Sequence, residues 1–411
     1  MVEFIRHTLA NGLRVIIHED PNTPMASVCV TYNVGTKFEQ SDKTGYAHLL
    51  EHIMFCGTSA VPNFDEVVQK AGGENNAFTN QDMTVYYQHI PAQNVEMALY
   101  LEADRMQHLA FDLSKFDREK RVVVEEFKEC CLNEPYGDIW HHLGPLAYGE
   151  HPYSIPTIGS QLEHVADATV QDLKAFYRTF YTPSNAVLSI AGNVQAQQVI
   201  KWVEKWFSEV QGQVLSATTR PSVETIKKAS LEVKADVPLR SIYMAFNSSD
   251  RMNRAYYLDD IISDILADGE DAPFYKELIK EREIFTDLEA YITASIDGGL
   301  FVIEGRLTDE NDFETGLNAI WQLLDRFCDD LVPERTMHKI QNRIEHNVIV
   351  SELSNMHKAM SLGYYETLGN ASMINKERDI YLSIKVDEIR ERAKYIFDRS
   401  KCCVIYYDTI D

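Results

Sequence analysis

The sequence lacks the features that mark a membrane or secreted protein. No run of apolar residues approaches the roughly 18 that a membrane-spanning helix requires. The first residues carry neither a basic segment nor the roughly 7–15-residue apolar segment of a secretory signal. We therefore expect no membrane span and a cytoplasmic location, or a periplasmic one if a signal peptide has been removed.

Cysteine pairs and positive charge are also scarce. The seven cysteines are an odd number and contain no Cys-x-x-Cys, so we interpret them as buried thiols in a reducing compartment. The chain has 39 Lys and Arg against 63 Asp and Glu, a formal net charge of −24, which argues against nucleic acid as a partner. A basic partner fits this charge better, although acidic surfaces also serve solubility alone.

The length and a distant internal similarity indicate two domains. A chain of 411 residues is about three times the usual single-domain length. The segment 170–190, read as a helix followed by a strand, has a counterpart at 386–406. Such a large spacing is typical of a duplicated domain rather than of a solenoid repeat. We predict domains at 1–212 and 225–411, joined by a polar linker near 212–225.

Strand-like and helix-like hydrophobic patterns alternate along the chain, which predicts an α+β fold. Strand patterns follow the turns at Asn11-Gly12 and 21–24, and we interpret them as an opening β-hairpin. Further strands are predicted at 84–90 and 186–191, and helices at 44–56, 63–71, 92–109, 115–134 and 167–180.

The helix predicted over 44–56 carries the pattern His-x-x-Glu-His. His48 and His52 are four residues apart, so their imidazoles leave one helix face one turn apart, as two ligands of a tetrahedral zinc do. Glu51 shares that face and can take a proton from zinc-bound water, whose pKa the metal lowers to about 7. Chance alone would give this pattern about 0.03 times in a chain of this composition.

A catalytic zinc needs a third protein ligand. The charged helix predicted over 115–134 offers Glu119, Glu125 and Glu126. Glu119 and Glu126 lie two turns apart on one stripe, so one can bind the metal while the other supports it. The spacing does not choose between Glu125 and Glu126, and either can simply belong to a solvated face.

His48-Leu49-Leu50-Glu51-His52 resembles the inverted zinc-binding motif of the inverzincins, the family of pitrilysin, insulin-degrading enzyme and mitochondrial processing peptidase. The similarity includes the segments 9–15, 76–79, 84–87, 102–106, 133–137 and 151–153. It covers essentially the whole chain, most strongly over 5–195. The resemblance implies two homologous α+β domains, each a mostly antiparallel β-sheet packed by α-helices, which together form half of a clamshell.

The resemblance also implies roles for the charged residues. It makes His48, His52 and Glu126 the ligands of one Zn²⁺ per chain, Glu51 the general base, and Glu119 an acid that supports the ligands. The implied activity is that of a zinc metalloendopeptidase, which hydrolyses peptides or small unfolded polypeptides inside a dimeric chamber.

Substrate-binding residues are implied in the same way. Asn76 and Ala77 are expected on an edge strand that receives the substrate in extended form. Phe55 is expected to line the pocket beside the scissile bond, with an ordinary core position as the alternative. If much of the acidic charge lines the chamber, basic peptides are the favoured substrates.

One part of the family pattern is missing. Relatives supply an Arg and, seven residues later, a Tyr that hold the substrate carbonyl, from the second domain or from a partner subunit. The matching positions here are Ile279 and Thr286, which offer no cationic or phenolic donor. Arg282 is displaced by three positions and would point almost the opposite way on a helix.

We therefore expect the zinc-bearing subunit of a heterodimer whose homologous partner supplies the Arg/Tyr pair. A homodimer is the alternative assembly. The alternative function is a non-catalytic structural subunit, similar to the core proteins of the respiratory cytochrome complex.

Overall fold

The computed structural model describes residues 1–212 and 222–410, which fall into two compact units. Within the described residues, the first unit comprises 1–128, 155–212 and 347–377, and the second comprises 129–154, 222–346 and 378–410. Each unit therefore takes one segment from the other half of the sequence. The domains at 1–212 and 225–411 stay a prediction, and most of the expected linker, 213–221, lies outside the described residues.

The strands, in chain order, are β1 (Ile5–Thr8), β2 (Arg14–Glu19), β3 (Met25–Tyr32), β4 (Glu74–Thr79), β5 (Thr84–Pro91), β6 (Ala186–Gly192), β7 (Ala229–Ala235), β8 (Ser241–Asn247), β9 (Phe285–Ile292), β10 (Leu300–Leu307) and β11 (Cys403–Thr409). The strands predicted at 84–90 and 186–191 are confirmed as β5 and β6.

The α-helices are α1 (Tyr46–Phe55), α2 (Phe64–Lys70), α3 (Val95–His108), α4 (Leu113–Phe127), α5 (Ile139–Tyr148), α6 (Leu162–Ala166), α7 (Val170–Phe180), α8 (Ala196–Phe207), α9 (Arg254–Ala267), α10 (Phe313–Asp329), α11 (Glu334–Ser351), α12 (Asn355–Thr367), α13 (Glu377–Leu382) and α14 (Val386–Ile396). Two π-helical segments lie at Lys128–Asn133 and Phe274–Glu281. The predicted helices correspond to α1, α2, α3, α4 with its π-helical continuation, and α7.

The sheet of the first unit has the strand order β1-β2-β6-β3-β5-β4. The turn at Asn11-Gly12 does join an antiparallel pair, β1 and β2. The interpretation that β2 and β3 form the opening hairpin is wrong, because β6 lies between them, parallel to β2 and antiparallel to β3. Hydrophobic alternation identifies a strand but does not encode a pairing partner that comes about 150 residues later in the chain.

Both faces of this sheet are covered. Val15 and Ile17 of β2 point into a large core shared with α1, α3, α7 and α8. Ile16, between them, points the other way and packs against Leu362 of α12, as the two-residue period of a strand requires. Gly363 lets α12 approach the sheet, because a Cβ there would lie 2.8 Å from the hydroxyl oxygen of Thr31.

The sheet of the second unit has the order β7-β11-β8-β10-β9, which repeats that of β2-β6-β3-β5-β4 in the first unit. In each sheet one pair is parallel and the others are antiparallel. The similar segments 170–190 and 386–406 correspond to α7 with β6 and to α14 with β11. Strands β6 and β11 occupy the same position in their sheets, and each is preceded by its helix. The α+β prediction with two similar sheets is confirmed.

Helix α5 covers one face of the second sheet, where Leu143 packs with Tyr243 and Ile405. On the opposite face Phe246 contacts Trp321 of α10 and Phe397, with ring centroids 5.8 and 5.3 Å away. Among residues 1–212 and 222–410, no helix is both long and apolar enough to cross a membrane.

Candidate metal centre

Helix α1 begins at a backbone position that favours glycine and is capped by a distant carboxylate. Gly45 has a φ of +84°, and a Cβ there would lie 2.7 Å from the carbonyl oxygen of Ile158. Glu39 accepts hydrogen bonds from the backbone N–H groups of Gly45 at 2.8 Å and Ala47 at 2.7 Å, so it satisfies donors that a helix start leaves free. Burial raises the pKa of Glu39 to about 8, although these N–H groups act to lower it.

The faces of α1 separate core residues from polar ones. The core takes Leu49, Leu50, Ile53 and Met54, which are essentially buried. The half-buried face carries His48, Glu51 and His52. The helix therefore holds the polar residues at the boundary between core and solvent, where a bound group can be partly shielded from water.

Helix α4 brings carboxylates to this polar face. Its first turn is capped by Asp112, which accepts from the backbone N–H of Lys115 at 3.0 Å. Glu119 and Glu126 approach the histidines of α1, whereas the Glu125 side chain is 72% exposed and pairs with Lys128 at 2.7 Å. The structure thus distinguishes Glu126 from Glu125, which the spacing alone left open.

His48, His52 and Glu126 form a cluster in which one possible ligand atom from each lies within 4.8 Å of the others. Glu126 Oε2 is 3.9 Å from His48 Nε2 and 3.5 Å from His52 Nε2. Glu119 Oε2 lies 3.7 Å from the other ring nitrogen, His52 Nδ1. In the part of the chain that the structure describes, no second group of three His, Cys, Asp or Glu side chains converges in this way.

This donor set fits zinc. Two imidazole nitrogens and a carboxylate oxygen are a ligand set of catalytic zinc sites, and such ligand atoms stand about 3.3 Å apart around a tetrahedral ion. The His52–Glu126 distance of 3.5 Å is close to that value. Glu119 faces the outer nitrogen of His52, as the carboxylate partner of a zinc-bound histidine does. The Nδ1 atom of His48 is buried without a hydrogen-bond partner among the described residues.

The pKa values of the two imidazoles are shifted in opposite directions. Burial and the neighbouring His52 lower the pKa of His48 to about 4, so its ring is neutral at neutral pH. Burial also acts to lower the pKa of His52, but Glu126 first, then Glu51 and Glu119, raise it above its ordinary value. The hydrogen bond with His52 holds the pKa of Glu126 below its usual range. A metal would therefore meet one imidazole that is neutral at neutral pH and one that keeps its proton to a higher pH.

Glu51 lies outside the ligand cluster on the same helix. One of its oxygens, Oε2, accepts a hydrogen bond from the hydroxyl of Thr79 at 2.5 Å. Burial raises the pKa of Glu51, whereas the Thr79 hydroxyl acts to lower it. A carboxyl group whose pKa is raised toward neutrality is suited to receive a proton and give it up again.

A cavity of about 520 Å³ opens beside Glu51 and His52. Phe55 lines it, and the same ring also packs against Phe64 and Tyr86, with centroids 6.2 and 6.1 Å away. The two interpretations of Phe55 are therefore compatible. The other side chains in the wall are mostly polar or charged and include Asn63, Asp65, Asn76, Lys115, Arg118 and Glu119.

Strand β4 is the outer strand of its sheet, and among residues 1–212 and 222–410 it pairs with β5 alone. Asn76 is exposed and Ala77 is half-buried on this strand. The side-chain oxygen of Asn76 accepts from the backbone N–H of Ala77 at 2.8 Å. The strand that the resemblance singles out for substrate is thus an exposed edge whose other side carries no strand in the described residues.

The positions where relatives carry the Arg/Tyr pair lie in the second unit. Ile279 is half-buried in the π-helical segment Phe274–Glu281. Thr286 is exposed on β9, and its hydroxyl donates to the carbonyl of Arg306 at 3.2 Å. Arg282 is exposed directly after the π-helical segment.

Two residues that contact helix α1 had no role in the sequence interpretation. Glu39 caps α1 from six residues before Gly45, and Thr79 contacts Glu51 across 28 residues of sequence. No local sequence pattern predicts either contact, because both depend on how the loop that contains Glu39 and the strand β4 pack against α1. The sequence shows Thr79 at the end of the edge strand, but it does not show that Glu51 is its partner.

Two family models match successive parts of the chain. The model described as "Insulinase (Peptidase family M16)" matches residues 14–159, which include the whole metal cluster. The model described as "Peptidase M16 inactive domain" matches residues 167–344.

Similar proteins cover nearly the full length. An "Uncharacterized zinc protease YmxG" of Bacillus subtilis is 25% identical over 95% of both chains. A "Zinc protease PqqE" of Helicobacter pylori is 24% identical over 97% of this chain and 91% of its own. A probable mitochondrial-processing peptidase subunit beta of Arabidopsis thaliana is 30% identical over 59% of this chain and 46% of its own.

Solved structures share the fold. A protease from Helicobacter pylori superimposes with a TM-score of 0.93 at 24% identity, covering 99% of this chain and all of its own. A peptidase M16 inactive domain from Pseudomonas fluorescens gives 0.90 at 16% identity, covering 100% and 99%. The periplasmic protease PqqL of Escherichia coli gives 0.79 at 15% identity, covering 99% of this chain and 48% of its own. With two models of one family matching in succession along the sequence, the chain belongs to peptidase family M16, the insulinase family.

Proposed function

We propose that this chain is a zinc metallopeptidase that hydrolyses peptides or small unfolded polypeptides, with one zinc per chain. The observation that carries the proposal is the meeting of His48, His52 and Glu126 around one point, with the carboxylate of Glu51 on the same helix but outside the cluster. His48, His52 and Glu126 would hold the metal.

A zinc ion bound by these residues supplies a Lewis acid that polarises the scissile carbonyl and makes water acidic enough to react near neutral pH. The protein's own part is proton transfer and orientation. Glu51 accepts a proton from the attacking water at its free carboxylate oxygen and later returns it to the leaving amine. Glu119, facing His52 Nδ1 at 3.7 Å, keeps the ring turned toward the cluster.

The edge strand β4 is proposed to align the substrate. An extended peptide can pair with the exposed backbone groups near Asn76 and Ala77, where main-chain hydrogen bonds tolerate many side-chain types. Phe55 and the polar walls of the neighbouring cavity would receive one substrate side chain. Basic peptides are the expected preference, because the chain carries a formal net charge of −24.

The experiment that tests the function compares three forms of the protein on an internally quenched, unstructured peptide. We expect Glu51→Gln to lower kcat by about 10²–10⁴-fold while zinc content stays unchanged, because the variant loses the base but no ligand. Glu125→Gln is the matched control, since it makes the same chemical change on an exposed side chain of α4. Equal turnover by Glu51→Gln and the wild type would contradict the proposal.

A heterodimer is the proposed assembly, because Ile279 and Thr286 offer no charged or phenolic donor for the substrate carbonyl. The similarity to a protein named as one subunit of a processing peptidase supports this assembly. PqqL also supports this assembly. This chain covers 48% of the length of PqqL, so the rest of PqqL is large enough for a second part of similar size. Cleavage by the chain alone at the rate of a co-expressed pair would count against a partner; a homodimer would then be the assembly to examine.

A non-catalytic structural role is the second candidate, favoured by the family model and the Pseudomonas structure that are both described as an inactive domain. That family model covers residues 167–344, however, and the metal cluster lies before them. A chain that binds zinc in the pair with its partner and cleaves no peptide would favour the structural role. The cytoplasmic location stays a prediction, and a periplasmic one is the alternative.

A further inference from the structure

We propose that Thr79 is a positioning residue for Glu51: its hydroxyl holds one carboxylate oxygen so that the other oxygen faces the attacking water. The inference rests on the proposed function, in which Glu51 is the base. Thr79 ends strand β4, and Glu51 lies on helix α1. The bond therefore ties the base to the strand that is proposed to align the substrate.

The contact has the geometry of a strong hydrogen bond. Thr79 Oγ1 lies 2.5 Å from Glu51 Oε2, a length typical of a hydroxyl that donates to an ionised carboxylate. Among the described residues, Thr79 is the one side chain that donates a hydrogen bond to the Glu51 carboxylate. It binds Oε2, so Oε1 receives no hydrogen bond from these residues. One oxygen is fixed and the other is available, which is the arrangement a base needs.

The hydroxyl proton of Thr79 is directed to Glu51 by its neighbours. A threonine hydroxyl has one proton to donate. The nearest other partner, Thr84 Oγ1 at 3.3 Å, donates its own proton to the carbonyl of Val34 at 3.0 Å and so can only accept weakly from Thr79. The shorter bond to Glu51 is the one that takes the proton.

Thr79 itself is held rigidly. It faces Thr84 in the last register pair of β4 and β5. In the turn that follows, Asn80 Oδ1 accepts from the backbone N–H of Asp82 at 2.8 Å. Asp82 also forms a buried ion pair with Lys37 at 2.5 Å. Because the turn is fixed at both ends, the Thr79 hydroxyl is an anchor for Glu51 rather than a mobile group that follows it.

The test replaces only the hydroxyl. Thr79→Val keeps the β-branched shape that suits a strand, and Thr79→Ser keeps the hydroxyl but loses the methyl group. We expect Thr79→Val to lower kcat by about 10–100-fold, with KM within about twofold and zinc content unchanged. Thr79→Ser should stay within about threefold of the wild-type kcat. Thr79→Ala is the second hydroxyl-free variant if Thr79→Val does not fold.

A purely structural role would give a different result. If Thr79→Ser loses as much kcat as Thr79→Val, or if Thr79→Val keeps wild-type kcat, the inference is wrong. Crystal structures of the zinc-loaded wild type and Thr79→Val provide a readout besides activity: we expect the Glu51 carboxylate to turn away from its wild-type orientation. An unchanged Glu51 orientation would overturn the inference. A wild type that binds zinc but cleaves nothing would refute the proposed function, and the two crystal structures would still decide whether Thr79 orients Glu51.

Discussion

The two units place corresponding helices after corresponding strands of their sheets: α1 and α4 in the first unit, and α9 and α11 in the second. These two helix pairs carry opposite patterns of charge. In the first unit α1 contributes imidazoles and α4 contributes carboxylates, with His52 and Glu126 3.5 Å apart. In the second unit the acids come first: Asp264 of α9 lies 2.6 Å from Arg343 of α11, which also pairs with Asp268.

The two helix pairs differ in whether their charged groups include a permanent cation. A guanidinium is a permanent cation that only donates hydrogen bonds, so Arg343 pairs with both carboxylates and balances one of their two negative charges. The two imidazoles and the carboxylate of the first unit include no permanent cation, and their lone pairs can bind a metal once both imidazoles are neutral. The same arrangement of helices thus carries a candidate metal cluster in the first unit and an ion-pair cluster in the second.

Glu119→Gln should weaken zinc binding by the helix pair α1 and α4 without removing a proposed ligand, and this is the largest effect that we expect. The amide keeps the size of the side chain but loses the charge that faces His52 Nδ1 at 3.7 Å. We expect zinc affinity to fall by about 10–100-fold, measured by competition with a chelator of known affinity. Asp264→Asn makes the corresponding change in the second pair and should leave zinc affinity unchanged. Equal losses of zinc affinity in the two variants would mean that the two helix pairs do not differ in metal binding.

The first pair should also show a pH dependence that the second lacks. His52 has a raised pKa and must lose its proton to bind zinc, whereas His48, with a pKa of about 4, is already neutral. Zinc affinity should therefore rise by about tenfold per pH unit below the pKa of His52 and level off above it. Calorimetry in two buffers of different ionisation enthalpy measures the proton release. Affinity that stays constant between pH 5.5 and about 7 would contradict the assigned protonation states.

These expectations separate what the sequence predicts from what only the fold provides. The spacing of His48 and His52 is a local property of one helix, so the sequence predicts that they share a face. Which of Glu125 and Glu126 joins them depends on how α4 packs, and the spacing of charges along a single helix does not contain that information. The resemblance to relatives favoured Glu126, and the structure brings that residue to the histidines.

Contacts between distant segments account for the features that the sequence did not predict. The insertion of β6 between β2 and β3 depends on pairing with a strand formed far along the chain. The placement of α5 in the second unit and α12 in the first is equally nonlocal. The contact between Thr79 and Glu51 joins a strand end to a helix face. Hydrophobic periodicity identifies these elements, but it does not specify their partners.

Arg343→Ala tests the second pair and should have the smallest effect of the three. The Arg343 side chain is 29% exposed and that of Asp268 is 50% exposed, so solvent screens part of the interaction. We expect a loss of about 1 kcal/mol in the free energy of unfolding, measured by urea denaturation.

The loss in Arg343→Ala should depend on pH. Burial raises the pKa of Asp264, and Arg343 opposes that shift in the wild type. In the variant the folded-state pKa lies further above the unfolded value, so stability falls as pH rises through that range. The destabilisation should therefore be larger at neutral pH than near pH 3.8, the ordinary pKa of an aspartate. Arg335→Ala, an exposed position on the same helix, is the control; an equal effect there would mean that the ion pair contributes nothing specific.

The number of zinc ions bound per chain is the decisive measurement. Metal analysis of the purified wild type, His52→Ala and Arg343→Ala compares the two helix pairs in one measurement. We predict about one zinc per chain in the wild type and Arg343→Ala, and almost none in His52→Ala. Two zinc ions per chain, or zinc retained by His52→Ala, would contradict this prediction.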